Sequence, residues 1–251
     1  MTTLAGKTAV ILGASGSANF GSAIARRLAA EGANTVVAAR RKAPLEQLAS
    51  ELGGTAVACD VTREGDIEKL FKKASQTYGR VDIAVFSAGI HSAGVIAELT
   101  ADAIRPSLEI SVIGALLFFR YAAAAMTEGG SVITISSLTA RIPGPGLAAY
   151  STARAGIDYA IRVAAVEYGE RKVRFNSIAA GLIQTDMTEA FFTMQSIIEG
   201  HINATPCGRM GTLDDMAEAA LFLADGKRSG YINGQVLDLA GGQQSGRLPR
   251  F

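Results

Sequence analysis

The chain alternates short, wholly apolar runs with longer stretches in which apolar residues recur every three or four positions. Thr8-Ala-Val-Ile-Leu12, ended by Gly13, reads as a strand buried on both faces. Runs at 35–39, 55–61, 81–87, 131–136, 173–178 and 234–239 repeat that pattern. The helical period appears through Ile24 and Leu28 to Gly32, in an amphipathic stretch ending near Tyr78, and over about 101–126 and 148–168. A last helix, capped by Asp214, runs to Leu223. Strands and helices alternating at this spacing predict α/β architecture, a doubly wound parallel sheet with helices on both faces, as one domain over 1–251. Ligands of such sheets gather at the carboxyl ends of the strands. Between 180 and 211 no strand pattern is visible, and 189–203 reads as one or two mobile helices. A segment of about 182–212 following a strand end is where a substrate lid would sit.

Composition narrows the classes. Of 251 residues, 49% are hydrophobic, enough for one large buried core. Lysines and arginines number 24 against 23 acids, which argues against a nucleic-acid footprint or a polybasic membrane surface. Cys59 and Cys207 lie far apart, and His91 and His201 are too few for a metal cluster, so neither a disulfide framework nor a metal site is expected. The most apolar helix, around 110–126, is interrupted by Arg120; it is expected to fall short of a membrane span and to pack inside. The amino terminus has no basic-then-apolar signal pattern, so a cytoplasmic protein is the expectation.

Chemistry first enters after the first strand, in Gly13-Ala-Ser-Gly-Ser-Ala-Asn-Phe-Gly21. A glycine-rich turn alone can be a mere tight connection. Between a strand and a helix it is also the setting in which backbone N–H groups hold a phosphate. The second strand ends in Arg40-Arg41-Lys42. An acid at that place takes the ribose hydroxyls of NAD, whereas arginine accommodates the extra phosphate of NADP, so the pair favours NADP(H) over NAD(H). A solvated basic loop is the competing reading.

A hydroxyl, a phenol and a fixed cation then fall within eighteen residues, as Ser137, Tyr150 and Arg154. Four apart on one helix, Tyr150 and Arg154 share a face, and a cation beside a phenol favours phenolate. Ser137, at the tip of the fifth strand, could hydrogen-bond the same reacting oxygen. A half-buried aromatic and a solvated charge on one helix would look the same.

Taken in order, these motifs closely resemble the short-chain dehydrogenase/reductase family over essentially the whole chain. The matches are the turn starting at Gly13, Asp60-Val61, Ala88-Gly89, Ser137 thirteen residues before Tyr150, Ala180-Gly-Leu-Ile-Gln-Thr185, and Gly234-Gln-Val with Gly241-Gly242. The resemblance implies a Rossmann-like fold in which Tyr150 is the acid/base and Ser137 binds the substrate oxygen. It also implies a nucleotide held by Gly13, Ser15, Phe20, Gly21, Arg40, Arg41, Asp60, Val61, Ala88, Gly89, Tyr150, Arg154, Ile183 and Thr185. Three positions depart from the family. Arg154 stands where a lysine is usual, Ser111 where an asparagine holds a relay water, and the glycine turn is about two residues longer. Arg154 keeps its charge and can still hold the ribose, and Ser111 can both donate and accept. A Ser-Tyr-Arg set is also similar to that of the halohydrin dehalogenases, cofactor-independent lyases. The expectation is an NADP(H)-dependent oxidoreductase interconverting a secondary alcohol and a ketone, with the lyase or a catalytically weak nucleotide-binding homologue as alternatives. Phe191, Phe192, Met194, Ile197 and Ile198 of the lid suggest an apolar substrate, and family analogy suggests a dimer or tetramer.

Overall fold

Seven parallel strands form one sheet in the order β3-β2-β1-β4-β5-β6-β7 in a computed structural model that describes residues 2–246. They are β1 (Thr8–Leu12), β2 (Asn34–Ala39), β3 (Thr55–Ala58), β4 (Ile83–Phe86), β5 (Gly130–Ser137), β6 (Val173–Ala180) and β7 (Val236–Leu239). Helices α1 (Phe20–Ala30), α2 (Lys42–Leu52) and α8 (Leu213–Ala224) cover one face. The other is covered by α3 (Glu64–Tyr78), α5 (Gly114–Ala125) and α6 (Ala148–Tyr168). The two-residue period of β1 divides its side chains between two cores. Val10 and Leu12 pack with Ile67, Phe71 and Phe118, while Ala9 and Ile11 pack with Ile24, Leu28 and Met216. Strands coated on both faces must be apolar throughout, which is why the runs stood out in the sequence.

Boundaries shift for physical reasons. The run 55–61 leaves the sheet after Ala58, and Asp60 turns the chain by accepting from the Thr62 N–H at 3.0 Å. The run 81–87 pairs only over Ile83–Phe86. The last helix is capped by Thr212, not Asp214: the Thr212 side chain accepts from the Asp215 N–H while the Asp215 carboxylate accepts from the Thr212 N–H. Helix α2 has no counterpart in the sequence reading, because Pro44 and three neighbouring cations disguise its start. In the first turn proline costs no hydrogen bond, and Leu45, Leu48 and Ala49 bury one face behind it. The lid stretch contains a 3₁₀ turn at Glu189–Thr193 and α7 (Gln195–Ala204), neither with a buried residue. At the tail a 3₁₀ turn covers Gln243–Ser245; the rest of the predicted tail, 247–251, lies outside the described residues.

The stretch expected as one helix over 101–126 is α4 (Ala101–Leu108), a π turn at Glu109–Ile113 and then α5. Pro106 removes one amide donor just before the π turn, in which the Gly114 N–H reaches the Glu109 carbonyl five residues back. By length and composition alone, 101–125 suffices to cross a membrane, an 18-residue window within it reaching a mean hydropathy of 1.6, contrary to the expected shortfall. Its apolar side is instead spent inside the protein. Phe118 lies edge-on to Phe71 and Phe86, with centroids at 5.0 and 5.4 Å, and Arg120 and Tyr121 both bond Glu64 at the start of α3.

Phe118 is fully buried at the centre of this core. Phe118→Ala is expected to cost about 3–5 kcal/mol in urea unfolding, and Phe118→Leu less than half as much. A Phe118→Ala loss below about 1 kcal/mol would mean that the helix is not packed as described.

Candidate active site

The sheet reverses direction of growth between β1 and β4, and a cleft of about 600 Å³ opens at their carboxyl ends. Gly13, directly after β1, makes the opening possible. Its φ of +100° suits glycine, and a Cβ there would lie 2.7 Å from the Ser87 carbonyl carbon after β4. Asn19 caps α1 by accepting from the Ser22 N–H at 2.8 Å, leaving the first turn of that helix at the cleft. At the far end lie Arg40, Arg41 and Asp60. Arg41 is steadied by the Ser15 carbonyl, to which its Nη2 donates at 3.0 Å. The Thr62 amide chiefly, then its hydroxyl and the Arg40 and Arg63 charges, hold the Asp60 carboxyl below its usual range against the opposing effect of burial.

The near end is built by β5 and α6. Arg154, 5% exposed, lies one turn after Tyr150 with its Cζ 5.1 Å from the phenol ring centroid, so the two side chains share a face as their spacing predicted. Its Nη1 donates to the Ile135 carbonyl at 2.8 Å; Nη2 abuts Gly89, where any side chain would collide with it; and its buried Nε–H has no partner. Among the described residues no carboxylate lies within ion-pair distance of it. Asp158, a further turn along α6, is the acid that feels its charge. Burial pushes the Asp158 carboxyl up, and the Ser136 and Ser177 hydroxyls, then Arg141 and Arg154, pull partly against that. Ser137 ends β5 with its Oγ accepting from the Thr139 N–H and hydroxyl at 3.2 and 3.0 Å. Its own O–H proton is left to donate.

The cleft therefore gathers Gly13, Ser15, Phe20, Arg40, Arg41, Asp60, Val61, Ala88, Gly89, Tyr150, Arg154 and Thr185. Gly21 lies beneath it, close against the Gly13 carbonyl. Three other expected site residues do not line the cleft themselves. Ile183 turns into the core, 2% exposed, and packs toward Gly211 instead of lining the cleft. Ser111 is buried in the π turn, and its neighbour Ile110 lines the cleft. Ser137 lies one residue beyond Ser136, which does line it.

Three residues at the site have no role in the sequence analysis: Asn19, the cap of α1, with Asp186 and His91. Asp186 accepts from the Ala18 N–H at 3.2 Å and the Ser17 hydroxyl at 3.3 Å, tying the base of the lid stretch to the glycine turn. His91 places its ring 5.6 Å from that of Tyr150 and 5.5 Å from Phe191. Asn19 could have been found from its preference for the position before a helix. Asp186 and His91 carry no local signal.

Comparison with known proteins gives this geometry a family. The family profile described as enoyl-(acyl carrier protein) reductase matches residues 13–244. An uncharacterized oxidoreductase of Methylorubrum extorquens is 34% identical over 249 residues, covering 96% of this chain and 99% of its own. A human 3-oxoacyl-(acyl-carrier-protein) reductase is 31% identical over 91% of this chain and 95% of its own. Among solved structures, a short-chain type dehydrogenase/reductase from Mycobacterium ulcerans superposes with a TM-score of 0.92 at 28% identity, covering 99% of this chain and 93% of that one. The chain belongs to the short-chain dehydrogenase/reductase family, oxidoreductases of small molecules that use NAD(H) or NADP(H).

The collision at Gly89 yields a test. Gly89→Ala is expected to displace the Arg154 guanidinium and, by removing one charged contact, to weaken nicotinamide nucleotide binding at least about tenfold. Nucleotide affinity unchanged in a folded Gly89→Ala variant would show that Arg154 does not depend on that glycine.

Proposed function

We propose that this enzyme interconverts a secondary alcohol and a ketone with NADP(H), in preference to NAD(H). The observation that carries the reading is the orphaned, buried Nε–H of Arg154 in a cleft that also holds Tyr150 and ends in Arg40 and Arg41. A buried donor without a partner costs about 1–3 kcal/mol, and a ribose hydroxyl there would satisfy it. The fit extends along the cleft. Gly13 and the first turn of α1 suit a pyrophosphate; Asp60, Val61, Ala88 and Gly89 suit the adenosine; Arg40 and Arg41 suit its additional phosphate; Thr185 suits the carboxamide end.

When bound, the nicotinamide supplies or accepts the hydride. The residues of this chain manage the proton and the geometry. In the reductive direction Tyr150 gives its phenol proton to the carbonyl oxygen as that oxygen becomes an alcohol, and in the oxidative direction it takes the proton back. Ser137 donates to the same oxygen while Thr139 holds the serine Oγ in place. Arg154 orients the ribose and places a permanent charge beside the phenol. Its guanidinium orients and does not itself pass a proton. Ser111, buried in the π turn, does not line the cleft, and the proton path proposed here does not use it.

The 3₁₀ turn at Glu189–Thr193 and α7 form the lid, whose Phe191, Phe192, Met194, Ile197 and Ile198 favour an apolar substrate. Tyr159, Val163 and Val166 form an exposed apolar stripe along α6, which supports a homo-oligomer, dimer or tetramer. A dehalogenase-type lyase would use Ser137, Tyr150 and Arg154 alike but would have no use for Arg40, Arg41 and Asp60.

Fluorescence titration is expected to show NADPH binding by the wild type, and binding retained by Tyr150→Phe with alcohol–ketone turnover lost. Replacing Arg40 and Arg41 together by alanine should weaken NADPH by about 10- to 100-fold and NADH less than about threefold, as expected for loss of charge-assisted bonds to one phosphate. Equal losses for both nucleotides would refute the preference. Turnover surviving in Tyr150→Phe would refute the proton path.

A further inference from the structure

Each reductive turnover leaves Tyr150 short of a proton. Arg154 cannot refill it, since a guanidinium does not give up its proton at any working pH, and the Ser111 hydroxyl is sealed inside the π turn at 1% exposure. The ring that does adjoin Tyr150 is His91, with centroids 5.6 Å apart and planes at 43°. The two rings are therefore neighbours in the fold. His91 is itself exposed, so solvent reaches its other side.

The position is built, not incidental. His91 follows β4 on a loop fixed at two later points. Gly94 donates its N–H to the Gly146 carbonyl at 2.8 Å, tying the loop to the segment that leads into Tyr150. Ser92 Oγ bonds the buried Ser107 Oγ of α4 at 2.7 Å. From the lid, Phe191 meets the imidazole edge-on at 5.5 Å. The imidazole thus lies between the phenol, the lid and the solvent.

We propose that His91 is the proton-relay residue of this enzyme, acting through Tyr150 in place of a lysine-centred relay that Arg154 cannot support; the proposal rests on the oxidoreductase reading above. In reduction the bound nucleotide would supply the hydride to the ketone carbon, and the ketone oxygen receives the Tyr150 proton. The phenolate so formed takes a proton from the His91 imidazolium, directly or through one water, and neutral His91 recovers a proton from bulk water. One hydride and one proton are added overall, and oxidation runs the same steps backwards. Imidazole suits the task because its two ring nitrogens can donate on one side and accept on the other.

The test uses the full chain with NADPH and a ketone that the wild type reduces. His91→Phe keeps a ring between Tyr150 and Phe191, and His91→Ala leaves room for a free imidazole. Both are expected to lose about 100-fold in kcat, the scale of one acid/base group, with KM and the NADPH dissociation constant within about threefold of wild type. Added imidazole should restore kcat in His91→Ala, in proportion to its concentration, and do nothing for His91→Phe. An unchanged kcat in His91→Phe, or a loss in His91→Ala that imidazole leaves untouched, overturns the relay while wild-type turnover keeps the oxidoreductase reading intact. A wild type that binds no NADPH removes that reading, and the relay with it.

Discussion

A guanidinium buried beneath a phenol is the constraint around which the functional end of this protein is arranged. Taking a cation out of water costs several kcal/mol unless hydrogen bonds and opposite charge repay it. Arg154 receives only part of that repayment from the protein, through the Ile135 carbonyl and a distant influence on Asp158. The surroundings are shaped to tolerate it. Gly89 gives up its side chain to make room, and Ser136 donates to the Arg154 backbone carbonyl at the long distance of 3.5 Å. The unrepaid part, Nε–H and the charge itself, lies beside the Tyr150 phenol, where a nucleotide sugar is proposed to bind. Under the proposed function, the cation is a cost to the fold that nucleotide binding recovers.

The sheet makes that arrangement possible. Because growth reverses between β1 and β4, the loops leaving those strands diverge, and the glycine turn faces Ala88-Gly89 across the gap. Gly13 sets how closely the two loops approach, and the π turn after α4 adds Ile110 to the wall. Asp186 joins the stretch after β6 to the same glycine turn through the Ser17 hydroxyl and the Ala18 N–H.

What could be read from the residues follows from how local each cause is. Strands buried on both faces advertise themselves as apolar runs, so the sheet was legible from β1 to β7. The spacing of Tyr150 and Arg154 gave their shared face, because four residues make nearly one helical turn. Helix α2 was missed through Pro44, a helix breaker in general and harmless in a first turn. The aliphatic side chain of Ile183 packs beside Gly211 in the core, a placement set by tertiary packing and not by its local sequence. Asp186 and Ala18 are 168 residues apart, and His91 meets Tyr150 only because two loops are tied together at Gly94 and Gly146. Contacts of that kind belong to the tertiary fold and leave no periodic trace.

The central proposal is that the cleft holding Tyr150 and Arg154 serves hydride transfer. Its most direct test is to offer the wild-type enzyme NADPH carrying deuterium on one face of nicotinamide C4, together with a prochiral ketone, and to read the alcohol by mass spectrometry and chiral analysis. Deuterium at the carbinol carbon from one of the two labelled faces, with a single configuration, is the predicted result. An alcohol that never carries the label from either face, or halide release from a vicinal halohydrin in the absence of any nucleotide, would contradict it.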